Sequence, residues 1–159
     1  MEVIIQCHAG RSFFSRLIAW FSRSSISHIS VWFHDPTSST RGYVLEAVEG
    51  AGVREIPATG YQEARLSGKI SLYRYRDPFT VEEAVELLEA MRKEVGQKYD
   101  WLGVFSFVTR RRHAHDEKWF CSEFLAYFSQ EFGRPLFENT EAWEVKPADV
   151  PRSLALVRV

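Results

Sequence analysis

The chain has 159 residues, 45% of them hydrophobic, and a formal net charge of −1. That length fits one domain spanning residues 1–159, and the apolar share is enough for a core and excludes a disordered chain. The near-neutral balance argues against nucleic acid or an anionic membrane as a partner. With only Cys7 and Cys121, the chain is not a disulfide-built scaffold. Its first residues, MEVIIQCHAG, lack a basic start followed by a long apolar run, and no stretch approaches the ~18 apolar residues of a membrane span. A protein made in the cytoplasm is expected, with a phage source and export by other routes left open.

In chain order, Val3–Cys7 reads as a strand that Gly10 breaks. Ser12–Ser24 carries Phe13, Phe14, Leu17, Ile18, Trp20 and Phe21 at helical spacing, which predicts an amphipathic helix. His28–His34 alternates, with Ile29, Val31 and Phe33 on one face and His28, Ser30 and Trp32 on the other. The turn Asp35-Pro36 leads to a strand at Tyr43–Val48, closed by Gly50-Ala51-Gly52. Val53–Ile56 and Lys69–Arg76 follow as strands. Thr80–Val95 is the best-marked helix: Thr80 and Glu83 form a capping box, and Val81, Ala84, Val85, Leu88 and Met91 make the buried stripe. Tyr99–Val108 reads as helical and Arg110–Lys118 as a charged loop. Cys121–Phe132 has helical spacing through Phe124, Leu125, Phe128 and Phe132, stopped by Gly133 and Pro135. A turn or short helix at Pro147–Val150 and a strand at Leu154–Val159 complete an α+β arrangement with a mostly antiparallel sheet.

Cys121 stands at the first turn of its helix. The partial positive charge of a helix N-terminus favours an anion, so a thiol there is suited to act as a nucleophile, and its backbone N–H can serve an oxyanion. Free cysteines are more commonly just small buried residues, and position alone favours that role. Cys7, inside an apolar strand, is read as such a residue. A thiol nucleophile needs a base, and His28, at the start of a strand that can reach a cleft, is the best-placed of five histidines. His34 is beside a turn; His8, His113 and His115 lie in or next to loops. The base in turn needs an orienting group. The strands holding His28 and Glu46 are joined by a short turn and should pair antiparallel. A symmetric hairpin favours Glu49 as the partner, and a bulged connection favours Glu46.

Several segments carry a family resemblance in their order and spacing: Ser27-His28-Ile29-Ser30-Val31; Val44-Leu45-Glu46-Ala47 with Gly50-Ala51-Gly52-Val53; Lys98-Tyr99-Asp100-Trp101-Leu102-Gly103; and Trp119-Phe120-Cys121-Ser122-Glu123-Phe124. Together with the aromatic–basic helix before Ser27 and Lys146-Pro147-Ala148-Asp149-Val150, they resemble the permuted branch of the NlpC/P60 papain-like superfamily, and within it the YiiX/YaeF-like amidases. The resemblance implies a circularly permuted papain-like α+β fold with the histidine first and the cysteine late. It implies Cys121 as nucleophile, His28 as base and Glu46, rather than Glu49, as the third residue. It also matches Tyr99 to a tyrosine near the site, although Tyr99 can equally be a core aromatic.

The implied activity is cleavage of an amide bond, in a peptide or a lipid-linked substrate, through an acyl-enzyme and without a cofactor. The alternatives are a lipid acyltransferase or thioesterase like lecithin:retinol acyltransferase, and a non-catalytic binding module. The aromatic helix Phe13–Phe21 gives the lipid alternative some support, since it can meet acyl chains, although core packing explains that stripe more simply; membrane contact has no support of its own. A zinc site from His113, His115 and Cys121 is short of ligands, so no metal is expected. Arg110-Arg111-Arg112 reads as a solvated loop with room for a role at the rim of a cleft.

Overall fold

The structure is a computed structural model that describes residues 1–10, 13–59, 69–100 and 118–159. Its elements are β1 (Glu2–Ala9), α1 (Phe13–Ser22), β2 (His28–His34), β3 (Gly42–Val48), β4 (Gly52–Pro57), β5 (Lys69–Tyr75), α2 (Val81–Arg92), β6 (Lys98–Tyr99), β7 (Lys118–Trp119), α3 (Cys121–Glu131) and β8 (Leu156–Arg158), with short 3-10 turns at Ala142–Glu144 and Val150–Arg152. Six strands form one antiparallel sheet in the order β4-β3-β2-β1-β5-β8. The expected α+β class and mostly antiparallel sheet are therefore observed.

The alternation read from β1 and β2 sets what each face of the sheet holds. Val3, Ile5 and Cys7 pair in register with Phe33, Val31 and Ile29, and all six join the main core. Phe124, Leu125 and Phe128 of α3 and Ala84, Leu87, Leu88 and Met91 of α2 complete that core. Ile4, Trp32, Val44 and Ala58 form a smaller cluster of their own. The central strands are thus buried on both sides. The even-numbered face of β2 then carries Trp32 into apolar packing at one end and His28 into a polar setting at the other.

The capping box at Thr80 forms as expected: Thr80 Oγ1 accepts from the Glu83 N–H, and the Glu83 carboxylate accepts from the Thr80 N–H. Such a cap contributes about 1 kcal/mol.

Four expectations need correction. Val81 and Val85 are exposed, and the buried stripe of α2 is Ala84, Leu87, Leu88 and Met91, an i, i+3, i+4, i+7 arc that includes Leu87 and leaves out Val85. Trp20 is 72% exposed rather than part of a buried α1 stripe, in which Ile18 is buried. Tyr99 is not in a helix: β6 pairs in parallel with β7, Lys98 beside Lys118 and Tyr99 beside Trp119, so Lys118 belongs to a strand and not to the charged loop. β1 extends past the expected Val3–Cys7 and takes His8 into the strand, because it runs on to Ala9 to match β2 down to His28. The helix expected to continue to Val108, Arg110–Arg112, His113 and His115 lie outside the described residues.

Candidate active site

The site forms where the start of β2, the middle of β3 and the N-terminus of α3 meet. α3 is anchored behind Cys121 by apolar and polar contacts. Phe120 is fully buried, Phe124 and Phe128 meet edge to face at 5.2 Å, and the Ser122 hydroxyl donates to the Val145 carbonyl at 2.6 Å. Helix geometry leaves the first N–H groups of α3 without intrahelical acceptors, and that of Cys121 is the first of them.

His28 faces Cys121 and Glu46 at once. One ring nitrogen, Nε2, is 2.6 Å from Glu46 Oε2, which leaves Nδ1 as the nitrogen available to the thiol. Burial by itself lowers the pKa of His28. The hydrogen bonds to Cys121 and Glu46, and the charges of both, outweigh burial and hold it up at about 9.

Glu46 is 1% exposed, and an isolated carboxylate there would be costly. It is spanned by partners: Oε2 meets His28, while Oε1 accepts from Arg54 Nε at 3.0 Å and Nη2 at 2.7 Å. Register produces this arrangement. The turn at Gly50–Gly52 sets Val48 opposite Gly52, Ala47 opposite Val53 and Glu46 opposite Arg54. β2 pairs with β3 through Val31 and Leu45, which sets Glu46 on the His28 side of the sheet. Glu49 lies beyond the end of β3 in the turn, and its pKa is raised by burial.

The structure therefore brings Cys121, His28 and Glu46 together and leaves Glu49 out of contact with His28. Tyr99 is buried near Cys121. Its hydroxyl is pushed well above its usual pKa by burial and then by the charges of Cys121, Glu49 and Asp100, so it keeps its proton. Arg54 is the residue that sequence reasoning missed. The glycine turn carries the signal for it, since counting back from Gly50–Gly52 pairs Glu46 with Arg54 directly.

A second polar chain runs beside His28. The His8 ring lies 5.5 Å from the His28 ring, its Nε2 is 2.9 Å from Ser30 Oγ, and Ser30 donates to Gln6 Oε1. Because Ser30 gives its proton to Gln6, His8 is the donor to Ser30, which specifies the proton on His8 Nε2. Among the described residues no three His, Cys, Asp or Glu side chains converge as a metal-binding set, and no helix is long and apolar enough to cross a membrane.

The model of a family described as permuted papain-like amidase enzymes, YaeF/YiiX, C92 family, matches residues 3–141. Among solved structures, the chain is similar to the metalloprotein YiiX from Escherichia coli O157:H7, with a TM-score of 0.75 and 20% identity. The match covers 100% of this chain and 96% of that one. At that identity the likeness shows the shared fold alone. No curated protein sequence matches the chain.

Proposed function

This chain belongs to the permuted papain-like amidase family of YaeF and YiiX, and from that premise we propose that it cleaves an amide bond by thiolate attack from Cys121. The observation that carries the proposal is His28, whose Nε2 lies 2.6 Å from the buried Glu46 carboxylate and whose pKa is raised by its interactions with Cys121 and Glu46.

In this reading His28, whose pKa is raised, takes the proton of the Cys121 thiol as the sulfur attacks. The sulfur attacks the amide carbonyl carbon and the carbonyl oxygen takes up the negative charge. The Cys121 N–H, at the start of α3, is a donor to that oxygen, and the buried, protonated Tyr99 borders the site. His28 then gives its proton to the leaving amine as the C–N bond breaks, leaving an acyl group on Cys121. Water, deprotonated by His28, attacks the thioester and restores the thiol. Glu46 holds the imidazole ring in orientation and balances its charge, and Arg54 holds Glu46.

A peptide amide is the favoured substrate class. The Escherichia coli protein is described as a metalloprotein; among the described residues here no three His, Cys, Asp or Glu side chains are grouped to hold a metal ion. The test is mass spectrometry of purified protein incubated with peptide and lipid amides, read for an acyl mass on the Cys121 peptide and for the released product. An acyl-Cys121 intermediate with a free acid as product supports the proposal. Transfer of the acyl group to an added amine in place of water would overturn hydrolysis in favour of acyl transfer.

A further inference from the structure

On the far side of Tyr99 from the described triad contacts lies a groove of about 310 Å³ that Cys121, His28 and Glu46 do not line. One wall is the β3–β4 turn with Gly50 and Gly52, and the other is the segment Gly96 to Tyr99 with Lys118. The two walls are bonded together: the Val53 N–H donates to the Gln97 carbonyl and the Gly96 N–H to the Val53 carbonyl, each at 2.9 Å. Gly52 is required by this closeness. Its φ is +71°, and a Cβ there would lie 2.1 Å from the Gln97 oxygen. At Gly50 and Gly96, by contrast, a Cβ would meet nothing within 4 Å. The groove is therefore open where these two glycines line it.

Lys98 and Lys118 both line this groove and are direct register partners across β6 and β7. Like charges on adjacent strands repel and cost stability. Neither lysine makes an ion pair among the described residues. Three carboxylates lie around the groove: Glu94, which accepts from the Trp119 indole N–H at 2.9 Å, and Glu49 and Asp100, whose charges reach Tyr99; none of them forms an ion pair with either lysine. The site also adjoins the chemistry. Tyr99 belongs both to the groove wall and to the surroundings of Cys121, and Lys118 precedes Cys121 by three residues, a reach of at most about 11 Å.

Building on the thiol amidase reading, we infer that this groove is a substrate subsite for an anionic oxygen group, a carboxylate or a phosphate, carried on the same substrate as the scissile amide. Two adjacent ammonium groups supply the charge, and the glycine-lined wall admits the group without side-chain obstruction. The preferred substrates are then acidic amides.

The test uses thiol-alkylating probes, so it needs no known substrate. Bromoacetyl-Gly-Glu-amide, bromoacetyl-Gly-phosphoserine-amide and the neutral bromoacetyl-Gly-Gln-amide are compared by their rates of Cys121 alkylation, resolved by peptide mapping. The expected result is an anionic-to-neutral rate ratio of about fivefold or more at low salt, shrinking in 0.5 M salt because charges at a surface groove are screened. The ratio should collapse toward one in K98Q/K118Q and survive in K98R/K118R. Whether the glutamate or the phosphoserine probe gains more identifies the source of the anion. A ratio near one in the wild-type protein, with rapid neutral alkylation, overturns the subsite and leaves the amidase reading standing. Alkylation of Cys121 by all three probes no faster than that of a cysteine in an unstructured peptide overturns both.

Discussion

Cys7 and Cys121 are the same side chain at nearly the same burial, 0% and 2% exposed, in one continuous core. Cys7 sits in mid-strand, with Ile29 and Ser71 as register neighbours, and burial followed by the charge of Cys121 pushes its thiol up to about 12. Cys121 begins a helix and faces an imidazole that a buried carboxylate and an arginine support. Burial alone silences a thiol. What separates the two is a second element that brings in a base, and a third that orients it.

Substitutions that break the comparison order themselves by expected size. Cys121→Ala should lower amide turnover by at least about 10³-fold, whereas Cys7→Ala should stay within about threefold of wild type. Steady-state kinetics on both variants checks this. His28→Ala should cost about 10³-fold, since it removes the proton carrier of both half-reactions. Glu46→Gln should cost about 10²-fold and about 3 kcal/mol of stability, because it leaves the buried imidazolium without its carboxylate. Glu49→Gln should change both far less, and denaturant titrations run beside the kinetics separate the two effects. Arg54→Gln should be milder, about 1 kcal/mol, since its side chain is 39% exposed and water screens the pair.

The smallest effect is one of pH. His28 binds its proton more tightly in the folded chain, at about 9 against an ordinary 6.5. That stabilisation is fully present below pH 6.5 and is lost as pH rises through about 9. Denaturation midpoints measured from pH 6 to 10 should fall over this window, and His28→Gln should flatten the fall.

Much of this was legible in the sequence, and for physical reasons. The alternation of His28–His34 is a strand signal, and its range is that of β2. The Thr80–Glu83 box marks a helix start, and the spacing of Phe124, Leu125 and Phe128 marks the buried face of α3. Cys121 was legible as a helix start, whereas its pairing with His28 came from the family resemblance and not from spacing. That pairing depends on how α3 lies against a sheet in which the two residues are 93 positions apart in sequence.

The choice between Glu46 and Glu49 turned on the register of a hairpin whose connection contains Arg41 at φ +56° and Gly42 at φ +93°, a detail that composition does not encode. β6 and β7 escaped because a two-residue strand has no periodicity to read. Their parallel pairing joins segments on either side of a long connection. Tyr99 was legible as an aromatic and not as a wall shared by the thiol and a basic groove.

The account rests on Cys121 differing from Cys7 through His28, and site-resolved alkylation by iodoacetamide reads that difference in a single sample. At pH 6, Cys121 should be carboxamidomethylated at least about tenfold faster than a cysteine in an unstructured peptide. Cys7 should remain unmodified, and His28→Ala should abolish the Cys121 advantage. Equal labelling of the two cysteines, or an advantage that survives His28→Ala, would contradict it.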